Sequence, residues 1–167
     1  PARFADRPTL AGMAAAAEGA REDTGPADGD ADGPIPLTPI QRWFFALDLP
    51  EPHHWNQAAW VDVPRDVAAA AVRRALEAVA SAHEALRLRF TRADGAWHQE
   101  VAPAAGVDLR VVDGAEPSVV HRAAGDAQRG FDLGSGRPLC ALLDAARSRV
   151  LVVAHHLVVD AVSWGVL

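Results

Sequence analysis

Two adjacent histidines, His155 and His156, are followed by Asp160 and then by Ser163 and Trp164. Imidazole takes up and returns protons near neutrality, with an ordinary pKa of ~6.5. A histidine held in a cavity therefore points to general acid–base chemistry. The pair follows an apolar run, Val150-Leu151-Val152-Val153-Ala154, whose β-branched residues read as a buried strand. Successive side chains of an extended segment point to opposite faces. His155 and His156 therefore cannot easily share one target: one can face a reaction cavity while the other packs or hydrogen-bonds. A metal site fits poorly, because the i, i+4 histidine pair of a helical zinc motif is missing and adjacent strand residues diverge. A lone histidine at a strand end is usually structural. A pair followed at this spacing by Asp and then Ser-Trp arises much less readily by chance.

The elements that must position these residues can be read in turn. A hairpin of strands over 139–143 and 150–154 delivers the histidines, and residues 162–167 read as the start of a helix. Residues 107–112 read as a strand and 117–128 as a helix. Gly and Pro in Phe131-Asp132-Leu133-Gly134-Ser135-Gly136-Arg137-Pro138-Leu139 mark a tight turn. Residues 56–63 read as a strand, with Asn56 either bordering the cavity or standing at an exposed strand start. Before it, His53 and His54 sit in a polar loop and read as a solvated pair. Val72, Leu76 and Val79 recur at i, i+4, i+7 and predict a helix over 66–81. Leu86, Leu88 and Phe90 alternate with Arg87 and Arg89, which predicts a half-buried strand. Asp94-Gly95 supplies hairpin chemistry, and residues 97–101 return as the partner strand. Upstream, Thr38 suits an N-cap, Pro39 the first helical position, and Gln41 completes a capping box.

Composition narrows the classes. The chain has 167 residues, half of them hydrophobic, enough for one core of ordinary size. Net charge is -6, with 22 acidic residues against 16 basic ones, all arginine. No basic patch with interleaved aromatics appears, which argues against nucleic acid. The single cysteine, Cys140, excludes an internal disulfide and a Cys-based zinc site. No run of ~18 apolar residues and no signal peptide is present, so a soluble, cytoplasmic protein away from membranes is expected. The chain starts at Pro1 and stops at Leu167 inside an apolar segment, which reads as a piece of a longer polypeptide. Residues 1–20 read as the end of another module, and residues 21–35, built from Gly, Pro and Asp, as a flexible linker.

Several strings resemble one family in the same order. His155-His156-Leu157-Val158-Val159-Asp160-Ala161-Val162-Ser163-Trp164 resembles the HHxxxDxxSW signature of nonribosomal peptide synthetase epimerization domains, members of the condensation-domain superfamily. Pro39-Ile40-Gln41-Arg42-Trp43-Phe44 resembles their P-I-Q-x-W-F motif, and Asn56-Gln57 their N-Q pair. His83-Glu84-Ala85-Leu86-Arg87-Leu88-Arg89-Phe90 resembles the second superfamily motif, with Ala82 where arginine is preferred, and residues 131–139 resemble F-D-L-x-x-G-x-P-L. Phe4 to Ala14 resembles the last helix of a peptidyl carrier protein.

The resemblance implies an α+β fold, a two-layer α/β sandwich forming the incomplete N-terminal lobe of a chloramphenicol acetyltransferase-like domain over 36–167. It implies epimerization at Cα of an aminoacyl or peptidyl thioester, with His156 as a catalytic acid/base group and a second, glutamate group on the missing C-terminal lobe. His155, Asp160 and Arg87 would hold the site, Asp160 buried and paired with Arg87. Asn56, Ser163 and Trp164 are candidates for lining the channel. No cofactor is bound directly; substrate arrives on the 4'-phosphopantetheine arm of the upstream carrier, and a downstream condensation domain is a further partner. Ala161 stands where the family has Gly, and would crowd the channel if the backbone there needs positive φ. Gly165 stands where epimerization domains often carry Arg. A condensation domain, and a non-catalytic carrier-docking module, are the competing readings.

Overall fold

The computed structural model describes residues 35–103, 106–113 and 116–166. The expected carrier helix over 1–20, and the linker apart from Ile35, lie outside the described residues. All described residues belong to one compact unit, Gly33–Leu167.

Its centre is strand β5 (Leu139–Asp144), every residue of which is buried. β5 pairs antiparallel with β6 (Arg149–His155), which pairs antiparallel with β1 (Asn56–Asp62). On its other side β5 pairs in parallel with β4 (Asp108–Val112), giving the order β1-β6-β5-β4. A parallel neighbour needs a crossover, and helix α3 (Pro117–Arg129) supplies it.

Period-two alternation assigns the faces. Cys140, Leu142, Leu151 and Val153 meet Val120 and Ala127 of α3 together with Phe131. Ala141, Leu143 and Val150 meet Val72 of helix α2 (Ala69–Ala82), while Leu139 and Ala154 meet its Ala80. The α+β lobe expected is present, and both faces of this sheet are covered by a helix. That is why β5 reads Leu-Cys-Ala-Leu-Leu without polar alternation.

Helix α1 (Pro39–Ala46) begins with the expected capping box: the Thr38 N–H donates to Gln41 Oε1 at 2.8 Å and the Gln41 N–H to Thr38 Oγ1 at 3.3 Å. Gln41 is buried, and its Nε2 donates to the Leu157 carbonyl at 3.3 Å. The helix start is thereby tied to the loop after the histidines. A separate hairpin joins β2 (Leu88–Ala93) to β3 (Ala96–Val101) through Asp94 and Gly95, at φ 52° and 79°. Two consecutive left-handed residues suit the strand twist of a tight hairpin. Ile35 bridges to Gln99 of β3.

Three expected elements are corrected. Residues Glu84–Arg87 form a 3-10 turn, and the strand starts only at Leu88. Leu86 is buried beside Ala80 and Val107 through that turn, so its apolar spacing with Leu88 and Phe90 mimics a strand without being one. The second helix starts at Ala69 rather than 66, because Asp66 takes φ 63°. Among the described residues beyond Asp160, a 3-10 turn, Ser163–Gly165, stands where the start of a helix is expected.

Candidate functional site

β6 runs straight into the two histidines, and the expected divergence is what the backbone produces. His155 pairs with Asn56 and is fully buried. Phe44 and Phe131 pack against its ring in T-shaped arrangements, with ring centroids 5.8 and 6.1 Å apart. Its Nε2 lies 2.8 Å from the Pro52 carbonyl, and its Nδ1 accepts the Leu157 N–H at 3.2 Å. A carbonyl only accepts and an amide N–H only donates, so His155 is neutral with its proton on Nε2. Burial pushes its pKa down to about 4.

His156 is exposed on the other side of the strand. Its backbone N–H donates to the Trp55 carbonyl at 2.8 Å, extending the ladder by one step. Nδ1 lies 2.7 Å from the Val159 carbonyl and Nε2 lies 3.2 Å from Gln57 Nε2. Trp164 Nε1 donates to Gln57 Oε1 at 2.7 Å. Indole N–H is a donor only. It therefore fixes the Gln57 oxygen toward Trp164 and turns the amide nitrogen toward His156. His156 Nε2 is then an acceptor, and the ring proton sits on Nδ1, facing Val159. The two neighbouring histidines hold opposite tautomers.

Asp160 is exposed, against the expectation of a buried carboxylate. Its Oδ1 accepts the backbone N–H groups of Val162 (3.0 Å) and Ser163 (2.8 Å) and the Ser163 hydroxyl (2.7 Å). Hydrogen bonds from Ser163, backbone first, lower its pKa. Arg87 turns elsewhere: Nη1 donates to the Ala102 carbonyl at 2.9 Å, at the base of the β2–β3 hairpin. The expected Arg87–Asp160 pair is not formed among the described residues. The reason is local, because the Asp160 turn satisfies its own carboxylate and nothing draws it inward. Arg87 Nε is buried without a partner.

Asn56 is also relocated. Its Nδ2 donates to the Gln128 carbonyl at 2.8 Å and the His54 carbonyl at 3.2 Å, tying β1 to the end of α3. It lies on the His155 side, so it does not line a space in front of His156. Gln57, one residue on, pairs with Ala154 and shares the face of His156. The Asn-Gln pair is legible in the sequence, and the β1–β6 register shows that Gln57 rather than Asn56 lies on the His156 face. Ser163 holds the Asp160 turn, and Trp164 reaches the site through Gln57. Of the expected solvated pair His54 is exposed, while His53 is half-buried and its Nδ1 accepts the Leu133 N–H at 3.1 Å. Ala161 is absent from the positive-φ non-glycine residues, which are Asp48, Asp66, Asp94 and Ser148 among those described, so it carries no left-handed strain. A side chain at Gly165 would meet nothing within 4 Å. No three His, Cys, Asp or Glu side chains converge among the described residues, and no helix there is long and apolar enough to cross a membrane.

Comparison with known proteins places this geometry in context. The family model described as "Condensation domain" matches residues 31–167. A linear gramicidin synthase of Brevibacillus parabrevis is 38% identical over 152 residues, 83% of this chain and 2% of that protein. Chondramide synthase of Chondromyces crocatus is 40% identical over 151 residues, 83% of this chain and 4% of that protein. The chain thus spans only a few per cent of these relatives' length. Among solved structures, the epimerization domain from the third module of tyrocidine synthetase B is 34% identical, with a TM-score of 0.73 over 79% of this chain and 31% of that one. The starter condensation domain of rhizomide synthetase shares the fold, at 22% identity and a TM-score of 0.62 over 80% of this chain and 35% of that one.

Proposed function

The chain belongs to the condensation-domain family of nonribosomal peptide synthetases, and from that premise we propose that it forms the first lobe of an epimerization domain. The substrate is an aminoacyl or peptidyl thioester on the phosphopantetheine arm of a carrier protein. The observation that carries the reading is His156: exposed, with Nδ1–H held by the Val159 carbonyl and Nε2 left as the basic atom. In the reaction the Cα–H bond breaks, its proton passes to Nε2, and the electron pair moves into the thioester carbonyl as an enolate. The Val159 carbonyl, facing the Nδ1 proton, accommodates the charge that the ring acquires. A second group on the opposite face returns a proton to Cα and inverts it. That group is assigned to a second lobe, since the ring partners of His156 are Gln57 and Val159. The carrier, that lobe and a downstream condensation domain are the proposed partners, in the cytoplasm.

The likeness to a solved epimerization domain supports this reading over condensation, as does the seating of Trp164 on Gln57 beside His156. The second reading is condensation, in which the same histidine would serve peptide-bond formation and which the matched family model covers equally. The test uses a polypeptide carrying this chain, its second lobe and its carrier, loaded with an aminoacyl thioester in deuterated water. Deuterium at Cα with mixed stereochemistry is expected, and His156→Ala is expected to abolish the mixing of configurations. Peptide formation from an added donor without exchange would move the assignment to condensation, and neither activity would leave a carrier-docking module.

A further inference from the structure

We infer that Gln57 is a positioning residue for His156: its side-chain amide, oriented by Trp164, decides which imidazole nitrogen is the base. The inference deepens the proposed function and rests on His156 acting as an acid/base group.

Three hydrogen bonds run in one direction. The Trp164 indole N–H donates to Gln57 Oε1 at 2.7 Å, Gln57 Nε2–H donates to His156 Nε2 at 3.2 Å, and His156 Nδ1–H donates to the Val159 carbonyl at 2.7 Å. Reversing the Gln57 amide would set its NH2 group against the indole N–H. It would also set its oxygen against His156 Nε2, pulling the proton there and leaving the bare Nδ1 lone pair against the Val159 carbonyl. Both new contacts are repulsive, so the direction is fixed by groups that cannot exchange donor and acceptor roles. Trp164 is itself held, packing against the buried cluster that contains Ala154 and Val159.

The consequence for chemistry is specific. A base must present a lone pair to the substrate. With the proton on Nε2 instead, the exposed nitrogen could not abstract one. Gln57 keeps Nε2 unprotonated and aims the ring while the site is empty. When substrate enters, the amide swings aside and the Cα–H takes its place at Nε2.

The experiment reads the tautomer directly. Nitrogen-15 histidine spectra of the full polypeptide distinguish a protonated ring nitrogen from a bare one, and His156 is assigned by the signals missing in His156→Ala. Wild type is expected to show His156 with its proton on Nδ1. Gln57→Leu is expected to mix the two tautomers, and Gln57→Glu, which turns the donor into an acceptor, to place a proton on Nε2. The His155 signals, set by Pro52 and Leu157, are expected to stay unchanged in both variants and certify the fold. In the exchange assay Gln57→Leu should lower kcat about 10- to 100-fold with KM unchanged, and Trp164→Phe should add nothing in the Gln57→Leu background. A wild-type His156 carrying its proton on Nε2, or a Gln57→Leu protein with unaltered tautomer and kcat, would overturn the inference. Racemisation that survives His156→Ala sinks the epimerization reading instead, while the spectra still decide for or against Gln57.

Discussion

His155 and His156 share a residue type and a backbone, yet the fold gives them different work because one pleat separates buried from exposed. His155 is enclosed by Phe44, Phe131 and Pro52. Its depressed pKa, about 4 against an ordinary 6.5 and caused first by burial, has a stability consequence. The unfolded chain binds this proton more readily than the native one, so the contribution of His155 is complete above pH 6.5 and is lost as pH falls toward 4. Its size is on the order of 3 kcal/mol. Urea unfolding at pH 7.5 and pH 5 should show about 2 kcal/mol of that loss, the remainder appearing only as pH approaches 4. Arg87 and Asp160 make a second case. The spacing of their motifs suggests a pair, but the Asp160 carboxylate is held within its own turn and Arg87 reaches the Ala102 carbonyl instead. Asp160→Ala should therefore leave soluble yield and melting temperature nearly unchanged. Arg87→Ala should destabilise by removing the Ala102 contact, and the double variant should show simple addition of the two effects. Coupling between them in thermal unfolding would restore the ion pair.

At the scale of elements, what was legible was what chain neighbours alone determine. The Thr38–Gln41 capping box, the Asp94-Gly95 turn and the β5–β6 hairpin are local, and each stands where its residues put it. What was not legible depends on partners distant in sequence. Leu86 could be seen to be buried, but not that it reaches the core from a 3-10 turn under α2. Likewise Asn56 and Gln57 could not be ranked without the β1–β6 register. Gln41 links the two kinds of information, capping α1 locally while donating to Leu157 far along the chain. Gln41→Ala should cost about 1–3 kcal/mol, more than Thr38→Ala at about 1 kcal/mol, because it also strips a partner from the loop after the histidines. Two glycines allow a cleaner comparison. Gly95 and Gly136 both have positive φ, but a Cβ at Gly95 meets nothing within 4 Å, while one at Gly136 would lie 2.5 Å from the Ala102 Cβ. Gly95→Ala should cost about 1 kcal/mol from backbone strain alone. Gly136→Ala should cost about 2–4 kcal/mol by adding steric overlap, and chemical denaturation of the pair would separate the two terms.

At the scale of the whole molecule, the proposed reaction needs more than one lobe, and the reason is stereochemical. Inversion at Cα requires a proton to leave one face and another to arrive at the opposite face. A sheet that presents His156 from one side reaches one face only. The described lobe therefore accounts for half of the exchange chemistry, and the halves can be told apart. With both acid/base groups in place, thioesters of either configuration should exchange Cα hydrogen with solvent. In His156→Ala the group on the second lobe still reaches its own face. The expected outcome is that one substrate configuration keeps solvent exchange without inversion and the other loses it, with racemisation abolished for both. Chiral analysis of the deuterated product, starting separately from the L and D thioesters, provides the measurement. Loss of exchange from both configurations would mean that His156 also prepares the opposite face, for example by ordering the thioester carbonyl. Retention from both would remove His156 from proton transfer altogether. A one-sided pattern would assign His156 to a single face of Cα, the role its placement after β6 and its bare Nε2 equip it to fill.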